Sequence, residues 1–380
     1  MQLHVVAVGV VVGLAVGIVP GAPAGGAATV RADPDVTRAR AALSRMPLAD
    51  RVSQLIMTSV PGGPTLRPMD ARVVARSRFG GIVLFADNYS SRSGLLRFTR
   101  SLQAADLGGD ASRPRALVSI DQEGGVVKRI ADAPPTRSAP QLGALDRPAV
   151  TRAEGRATAK TLRGLGVQVD LAPVADLDIA PRHVMRARSF GSDPALVGRH
   201  VAAFIDGIHA GRGAAAVKHF PGFGGASVNS DDALATITRT APQLERDLAP
   251  FRSAIGARVD LVMVSHGRYT AIDRLRPAST SPATYRQLRG ELGFDGVTIT
   301  DSLHARGFAA ATHLSVPFGC VRAIAAGADI ALLTGSLKDA VACRSQLVVA
   351  ARAGRLTNAR IDEAALRVLV LKSRLGLLGR

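Results

Sequence analysis

Short apolar runs alternate with longer segments of mixed polarity along most of the chain. The runs are rich in Val, Ile, Leu and Ala, which is typical of parallel strands buried on both faces. Eight such runs occur, at residues 54–60, 80–86, 116–122, 167–173, 214–220, 261–267, 296–302 and 328–334. Eight buried strands separated by helical segments predict a closed (β/α)8 barrel of the TIM type.

The segments between the runs carry helical patterns. Residues 148–166 and 194–213 place apolar residues at helical spacing and stop at glycine, and residues 361–378 predict a final helix. Neither a change of composition nor a long low-complexity linker divides residues 30–380. The sequence therefore predicts a single barrel domain over residues 30–380.

The first 29 residues differ from the rest of the chain. They contain no Lys, Arg, Asp or Glu, and an apolar run over residues 5–19 gives way to small residues and prolines. This order is typical of a secretory signal peptide that is cleaved within residues 22–28, and the run is short for a transmembrane span. We therefore expect a protein that is secreted or held in the cell wall or periplasmic space, with an uncleaved membrane anchor as the alternative.

Composition and charge narrow the range of partners. Hydrophobic residues make up 47% of the chain and charged residues 21%, as in a globular protein. The formal net charge of +18 favours anionic surroundings, among them cell-wall polymers, anionic lipid surfaces and nucleic acid. The basic residues are spread along the chain without aromatic interleaving, which argues against a dedicated nucleic-acid module. The two cysteines, Cys320 and Cys343, either form one disulfide or remain buried thiols.

Polar side chains follow the ends of several predicted strands. Because active sites of (β/α)8 barrels form at the carboxyl ends of the strands, these side chains are expected to meet at one rim. Acids, a lysine and histidines on one rim indicate a pocket for a polar ligand. The residues concerned are Asp121, Asp176, Lys218, His219, His266 and Asp301.

Two of these carboxylates suggest chemistry on a sugar. Asp301 could stabilise or attack an oxocarbenium-like centre, or it could cap the helix that follows. Asp121 precedes two glycines that permit close approach of a ligand, and it could accept two neighbouring sugar hydroxyls. Further donors for sugar oxygens, each also able to hold an ion pair, would come from Arg129, Arg188, Lys218 and His219.

Five motifs, IDQEGG, RSFG, DLAPVADLD, KHFPGFG and GFDGVTITDSL, together resemble the N-terminal catalytic barrel of family 3 glycoside hydrolases, in the bacterial β-N-acetylglucosaminidase branch. The resemblance spans roughly residues 45–375. It implies a retaining glycosidase that uses neither metal nor cofactor and acts on N-acetylglucosamine in wall-derived or related β-glycosides. It also implies Asp301 as the nucleophile and sugar contacts from Asp121, Arg129, Arg188, Lys218 and His219. We expect His266 to add a contact to the same ligand.

The chain departs from the family pattern at the proton donor. Members of this branch usually read KHFPGHG and carry a later Asp-Ser-His loop, whose histidine is the general acid/base and is oriented by the Asp. Here Phe223 replaces the first histidine, and Asn229, Ser230 and Asp231 occupy the loop positions. The His–Asp dyad of the family is therefore absent from the sequence.

Three alternatives follow from this departure. A carboxylate of the loop, with Asp231 ahead of Asp232, could serve as the acid/base, as carboxylates do in most glycosidases. The barrel could instead bind wall glycans while hydrolysing them slowly or not at all. Another histidine, such as His266 or His304, could also take over the proton transfer.

Overall fold

The computed structural model of the protein describes residues 33–180 and 184–379. The predicted signal peptide at residues 1–29 lies outside the described residues. Contacts place the described residues from Pro34 onward in one compact unit.

Eight parallel strands close into a barrel in the order in which they occur along the chain. Each strand lies within one of the eight predicted apolar runs, so the predicted (β/α)8 barrel of the TIM type is confirmed. The strands are β1 (Ile56–Ser59), β2 (Gly81–Leu84), β3 (Leu117–Ile120), β4 (Val169–Asp170), β5 (Ala214–Phe220), β6 (Leu261–Val264), β7 (Val297–Ser302) and β8 (Ile330–Leu333).

Alternate residues of each strand pack on opposite faces of the sheet. On β2, Val83 joins a cluster inside the barrel, whereas Ile82 and Leu84 join the larger cluster between strands and helices. The same alternation separates Leu117 from Val118 on β3. Because both faces are buried in apolar surroundings, the strands read as continuous apolar runs.

Helices surround the barrel. The predicted helices at 148–166, 194–213 and 361–378 correspond to α6 (Pro148–Gly164), α7 (Pro194–Ala210) and α13 (Asn358–Arg374). Helix α13 begins earlier than predicted because Thr357 caps it by accepting a hydrogen bond from the backbone N–H of Arg360. The helices are α1 (Pro34–Ser44), α2 (Leu48–Gln54), α3 (Pro68–Ser77), α4 (Arg92–Leu107), α5 (Ala139–Leu145), α6 (Pro148–Gly164), α7 (Pro194–Ala210), α8 (Ala241–Gly256), α9 (Pro282–Arg286), α10 (Arg306–Thr312), α11 (Val316–Ala326), α12 (Leu337–Arg352) and α13 (Asn358–Arg374).

A disulfide joins α11 to α12. Cys320 and Cys343 are fully buried, their Cα atoms are 6.0 Å apart, and their sulfur atoms are bonded. The structure therefore has the disulfide rather than the two buried thiols.

Within residues 33–180 and 184–379, we find no single helix with the length and apolar character needed to cross a membrane, although α10 and α11 meet that test as a pair bent by 76°.

Candidate active site

A cavity of about 480 Å³ opens at the carboxyl ends of the barrel strands. Seven of the nine predicted site residues line it, whereas Asp232 and His266 lie outside its wall. Across the described part of the chain, no three His, Cys, Asp or Glu side chains form a group that could hold a metal ion. The polar residues of the wall are Asp121, Arg129, Arg188, Lys218, His219, Asn229, Ser230, Asp231, Asp301, Ser302, His304 and Thr334.

A buried ion-pair network forms one side of the cavity. The ammonium group of Lys218, at the end of β5, lies 2.6 Å from Asp121 Oδ1 and 2.7 Å from Glu123 Oε1. Arg188 donates two hydrogen bonds to Glu123, of 2.9 and 2.7 Å. Arg129 Nη2 lies 3.6 Å from the other oxygen of Asp121. Each cation of this wall is thus held by a carboxylate, which fixes the donors before a ligand arrives.

The charges of the network reinforce one another. Burial opposes ionisation of Glu123, but Lys218 and Arg188 outweigh it and lower the pKa of its carboxyl to about 2. Burial likewise opposes the charge of Lys218, and Asp121 and Glu123 outweigh it and raise the pKa of its ammonium. Glu123 and Lys218 are therefore both charged at neutral pH.

Glu123 was missed by the reasoning from sequence. Residues Gln122–Gly124 form a short strand directly after β3, paired with Val127–Lys128. Because side chains alternate along a strand, Asp121 and Glu123 project to the same side, while Gln122 turns away and bonds the backbone N–H of Ile130 at 3.0 Å. The alternation within IDQEGG was the signal that could have identified Glu123.

Replacement of Glu123 by glutamine is expected to lower the free energy of unfolding by about 3 kcal/mol, since the shift of its pKa from 4.5 to about 2 corresponds to that amount. The variant keeps the shape of the side chain but leaves Arg188 without a carboxylate partner. Denaturant unfolding at several pH values measures the effect. Because folding lowers the pKa of Glu123, its contribution to the free energy of unfolding is complete at pH values above the pKa in the unfolded state. This contribution is lost as the pH falls toward about 2.

The matched control for this variant is Glu245→Gln. Glu245 pairs with Arg252 on the surface, where the two side chains are 56% and 46% exposed. Exposed ion pairs contribute at most about 1 kcal/mol. Equal losses of stability in the two variants would contradict the role given to the buried network.

Asp176 organises the loop that follows β5. This fully buried carboxylate accepts hydrogen bonds from His219 Nδ1 at 2.6 Å and from the backbone N–H of Phe223 at 2.6 Å. With Nδ1 donating to Asp176, the other ring nitrogen of His219 is directed to Arg188 Nη2 at 3.4 Å. The peptide bond between Lys218 and His219 is cis. Asp176 therefore fixes the orientation of His219 in the cavity wall.

Two carboxyl groups in the cavity have pKa values displaced in opposite directions. Burial of Asp301 is outweighed by electrostatic interaction with the neighbouring imidazoles of His219 and His266 and by the N–H of Ser302, and its pKa is lowered. Desolvation of the Asp231 carboxyl and the nearby charge of Asp301 raise the pKa of Asp231, although the residue as a whole is exposed. Asp301 is thereby favoured as the anion and Asp231 as the acid.

The loop that carries Asp231 is fastened to the start of α10. The backbone N–H of Gly307 donates to Ser230 O at 2.9 Å, and that of Arg306 donates to Asp231 O at 3.2 Å. A Cβ on Gly307 would lie 2.6 Å from Ser230 O, so only glycine permits this approach. Asp231 is consequently held at the cavity, whereas the next residue, Asp232, is exposed outside it.

The two histidines considered as alternative acid/bases occupy different places. His266 is fully buried, with Nδ1 at 2.8 Å from Ser279 Oγ and Nε2 at 2.8 Å from Ser302 O. It therefore supports the end of β7 from behind the wall and does not reach a ligand in the cavity. His304 does line the cavity, and its Nε2 lies 3.2 Å from Asp339 Oδ2.

Comparison with known proteins agrees with this geometry. The sequence model for the glycosyl hydrolase family 3 N terminal domain matches residues 47–371. A β-hexosaminidase of Mycobacterium tuberculosis, LpqI, is 31% identical over 334 residues, which cover 85% of this chain and 82% of that protein. The structure of a family 3 β-N-acetylglucosaminidase from Paenibacillus superposes with a TM-score of 0.82 at 33% identity, over 87% of this chain and 63% of that one.

Some relatives extend well beyond the matched barrel. β-Hexosaminidase A of Pseudoalteromonas piscicida is 29% identical over 341 residues, which cover 82% of this chain but only 56% of that protein. The similarity thus concerns the barrel, where the motifs and the cavity both lie. The match of the family model over most of the chain shows that the protein belongs to glycosyl hydrolase family 3.

Proposed function

We propose that this protein is a retaining β-N-acetylglucosaminidase or close relative, in which a carboxylate takes the place of the family histidine as acid/base. The observation that carries the proposal is the pairing of Asp301 and Asp231 in one cavity with their pKa values pushed apart. Such pairs identify the anion and the acid in glycosidases. The names of the related proteins support the sugar class.

In the proposed first step, a carboxylate oxygen of Asp301 attacks the anomeric carbon while the bond to the leaving oxygen breaks. Asp231 gives its proton to that oxygen, so the aglycone departs as a neutral alcohol and Asp231 becomes a carboxylate. In the second step, Asp231 takes a proton from water as the water oxygen attacks the anomeric carbon and releases Asp301. The sugar leaves with its original anomeric configuration.

The ion-pair network is proposed to position the sugar. Asp121 can accept from sugar hydroxyls, and Lys218 and Arg188 can donate to sugar oxygens from positions already fixed by Glu123. Because these donors are ordered before binding, little entropy is lost when they engage the ligand. The oriented His219 would add one further contact.

We further propose that the protein is exported and acts on glycans derived from the cell wall. The pattern of residues 1–29 supports export, and a disulfide between α11 and α12 suits an oxidising compartment. The net charge of +18 suits an anionic environment.

A second candidate function is binding of the same glycans with little or no hydrolysis. The observations that favour it are the loss of the family's acid/base histidine, whose loop position holds Asp231, and the replacement of the first family histidine by Phe223, which is 2% exposed and lines the cavity. A group with no ionisable proton at this position leaves all proton transfer to Asp231.

Hydrolysis of 4-nitrophenyl β-N-acetylglucosaminide by the purified protein, compared with the matching β-glucoside, tests the proposed activity. We expect kcat/KM for the acetamido sugar to exceed that for the glucoside by about 5- to 150-fold, since leaving a buried hydrogen-bonding site unpaired costs about 1–3 kcal/mol. Equal release from both sugars would contradict the proposed specificity. If neither is hydrolysed but N-acetylglucosamine raises the thermal midpoint, the binding function is favoured.

A further inference from the structure

Basic side chains form a row along the outer face of α6. Arg152, Arg156 and Lys160 are all exposed and are spaced four residues apart. This spacing places them on one face of the helix, with a rise of about 6 Å from one to the next. Arg163 continues the row, half-buried and with Nη1 lacking a hydrogen-bond partner.

Helix α7 adds a fifth cation to this row. The two helices touch along their backbones, since a Cβ on Gly207 would lie 2.2 Å from Arg152 O and one on Gly211 would lie 2.9 Å from Arg156 O. The residue after Gly211 is Arg212, which is exposed. We call the set Arg152, Arg156, Lys160, Arg163 and Arg212 the α6 basic row.

Within the described part of the chain, no carboxylate forms an ion pair with a member of the α6 basic row. Glu154, on the same helix, is buried on the other side and bonds Thr136 and Arg137. Asp206 on α7 is exposed but forms no ion pair with the row. By contrast, the arginines of the cavity and of the network around Asp329 are held by acids. No member of the α6 basic row is therefore neutralised by a direct ion pair with a described residue, and the row remains a line of positive charges.

We propose that the α6 basic row binds a linear phosphodiester polymer, specifically a poly(glycerol phosphate) chain lying along α6. The cations of the row are single and lie about 6 Å apart along the helix, so they can pair with the single negative charges that repeat along a linear polymer. A membrane surface would favour apolar anchors, and the large exposed apolar side chains of the described residues lie on neither α6 nor α7. A single-stranded nucleic acid would favour aromatic side chains for base stacking, and α6 has none.

The contact would act apart from glycoside hydrolysis. None of the five cations lines the cavity that contains Asp301. Binding of the polymer would concentrate the protein on an anionic scaffold while the carboxyl end of the barrel stays open.

The test is binding of the full-length protein to fluorescently labelled poly(glycerol phosphate), measured by anisotropy over a range of salt concentrations. The variant Arg156→Gln/Lys160→Gln removes two central charges of the row. We expect affinity to fall about tenfold at low salt. The slope of log K against log salt is negative, and its magnitude should decrease by about 1.4. Each phosphate contact contributes about 0.7 to this magnitude in single-stranded nucleic acids, and the variant removes two such contacts.

The matched control is Arg72→Gln/Arg76→Gln on α3. These two arginines are also exposed and four residues apart, and neither forms an ion pair with any residue that the structure describes, but no third cation continues their row. Both variants lower the formal net charge by two, and the control is expected to change affinity less than about twofold. Unchanged thermal midpoints verify that both variants are folded.

Two results would overturn the proposal. Equal weakening in both variants would show that diffuse net charge attracts the polymer rather than the α6 basic row. Tighter binding to an oligonucleotide of equal charge, or to vesicles with an anionic lipid, than to poly(glycerol phosphate) would show that the partner is of another class.

Discussion

Replacement of Asp301 by alanine is expected to lower kcat for 4-nitrophenyl β-N-acetylglucosaminide by about 10⁴-fold or more. Loss of a nucleophile removes the covalent path and leaves only the contribution of binding and electrostatics. Asp301 stands at the end of β7, where its carboxylate accepts a hydrogen bond from the N–H of Ser302 at 2.8 Å. The ion-pair network does not depend on that contact, so the variant is expected to fold and to bind the sugar.

The measurement is release of nitrophenol, together with mass spectrometry of protein quenched during turnover. Wild type should carry a glycosyl adduct on the peptide that contains Asp301, and the Asp301→Ala variant should carry none. Asp232→Ala is the control, because it removes an exposed carboxylate outside the cavity and should change the rate less than about twofold. An Asp301→Ala enzyme that keeps a tenth of its activity would exclude Asp301 as the nucleophile.

The barrel could be predicted from sequence because strands that are buried on both faces appear in the sequence as continuous apolar runs. Runs such as residues 261–267 and 296–302 contain few polar positions, and each ends in a residue that can be placed at the carboxyl rim. The rim then gathers side chains from distant parts of the chain, as it does for Asp121 and Lys218, which are bonded at 2.6 Å across 97 residues.

The depth of a side chain at the rim could not be predicted in the same way. His266 lies two residues past the end of β6 and Asp301 is the next-to-last residue of β7, yet Asp301 faces the cavity and His266 is enclosed between Ser279 and Ser302. Past the last paired residue of a strand, the direction of a side chain is set by the packing of the next loop rather than by the period of two. That packing depends on contacts distant in sequence.

The hydrogen-bonding partners of buried charged side chains could also not be predicted from patterns in the sequence. Asp176 could be placed at a strand end, but its hydrogen bonds to His219 and Phe223 require the course of two loops. The same holds for the disulfide, because two cysteines separated by 23 positions meet only once α11 and α12 lie side by side. In each case the missing information is the path of the loops.

Replacement of Asp231 by alanine is expected to slow hydrolysis in proportion to how much the leaving group needs a proton. For a simple alkyl aglycone, which departs poorly as an anion, the loss should be about 10²- to 10⁴-fold. For a 2,4-dinitrophenyl aglycone, the first step needs little acid, and the loss should be much smaller. Steady-state kinetics with a series of aglycones, on wild type and on Asp231→Ala, measure this dependence.

The pH profile provides an independent test of the same role. A general acid must carry its proton, so kcat/KM of wild type should fall as the pH rises through the raised pKa of Asp231, and fall on the acid side as Asp301 is protonated. The Asp231→Ala variant should no longer show the decrease of kcat/KM at high pH and should keep the decrease at low pH. If both limbs persist and His304→Ala instead shows the leaving-group dependence, the proton comes from His304, which lines the same cavity and contacts Asp339. If neither variant shows that dependence, the barrel lacks a working acid/base, and binding without hydrolysis becomes the better account of why the family's acid/base histidine is absent.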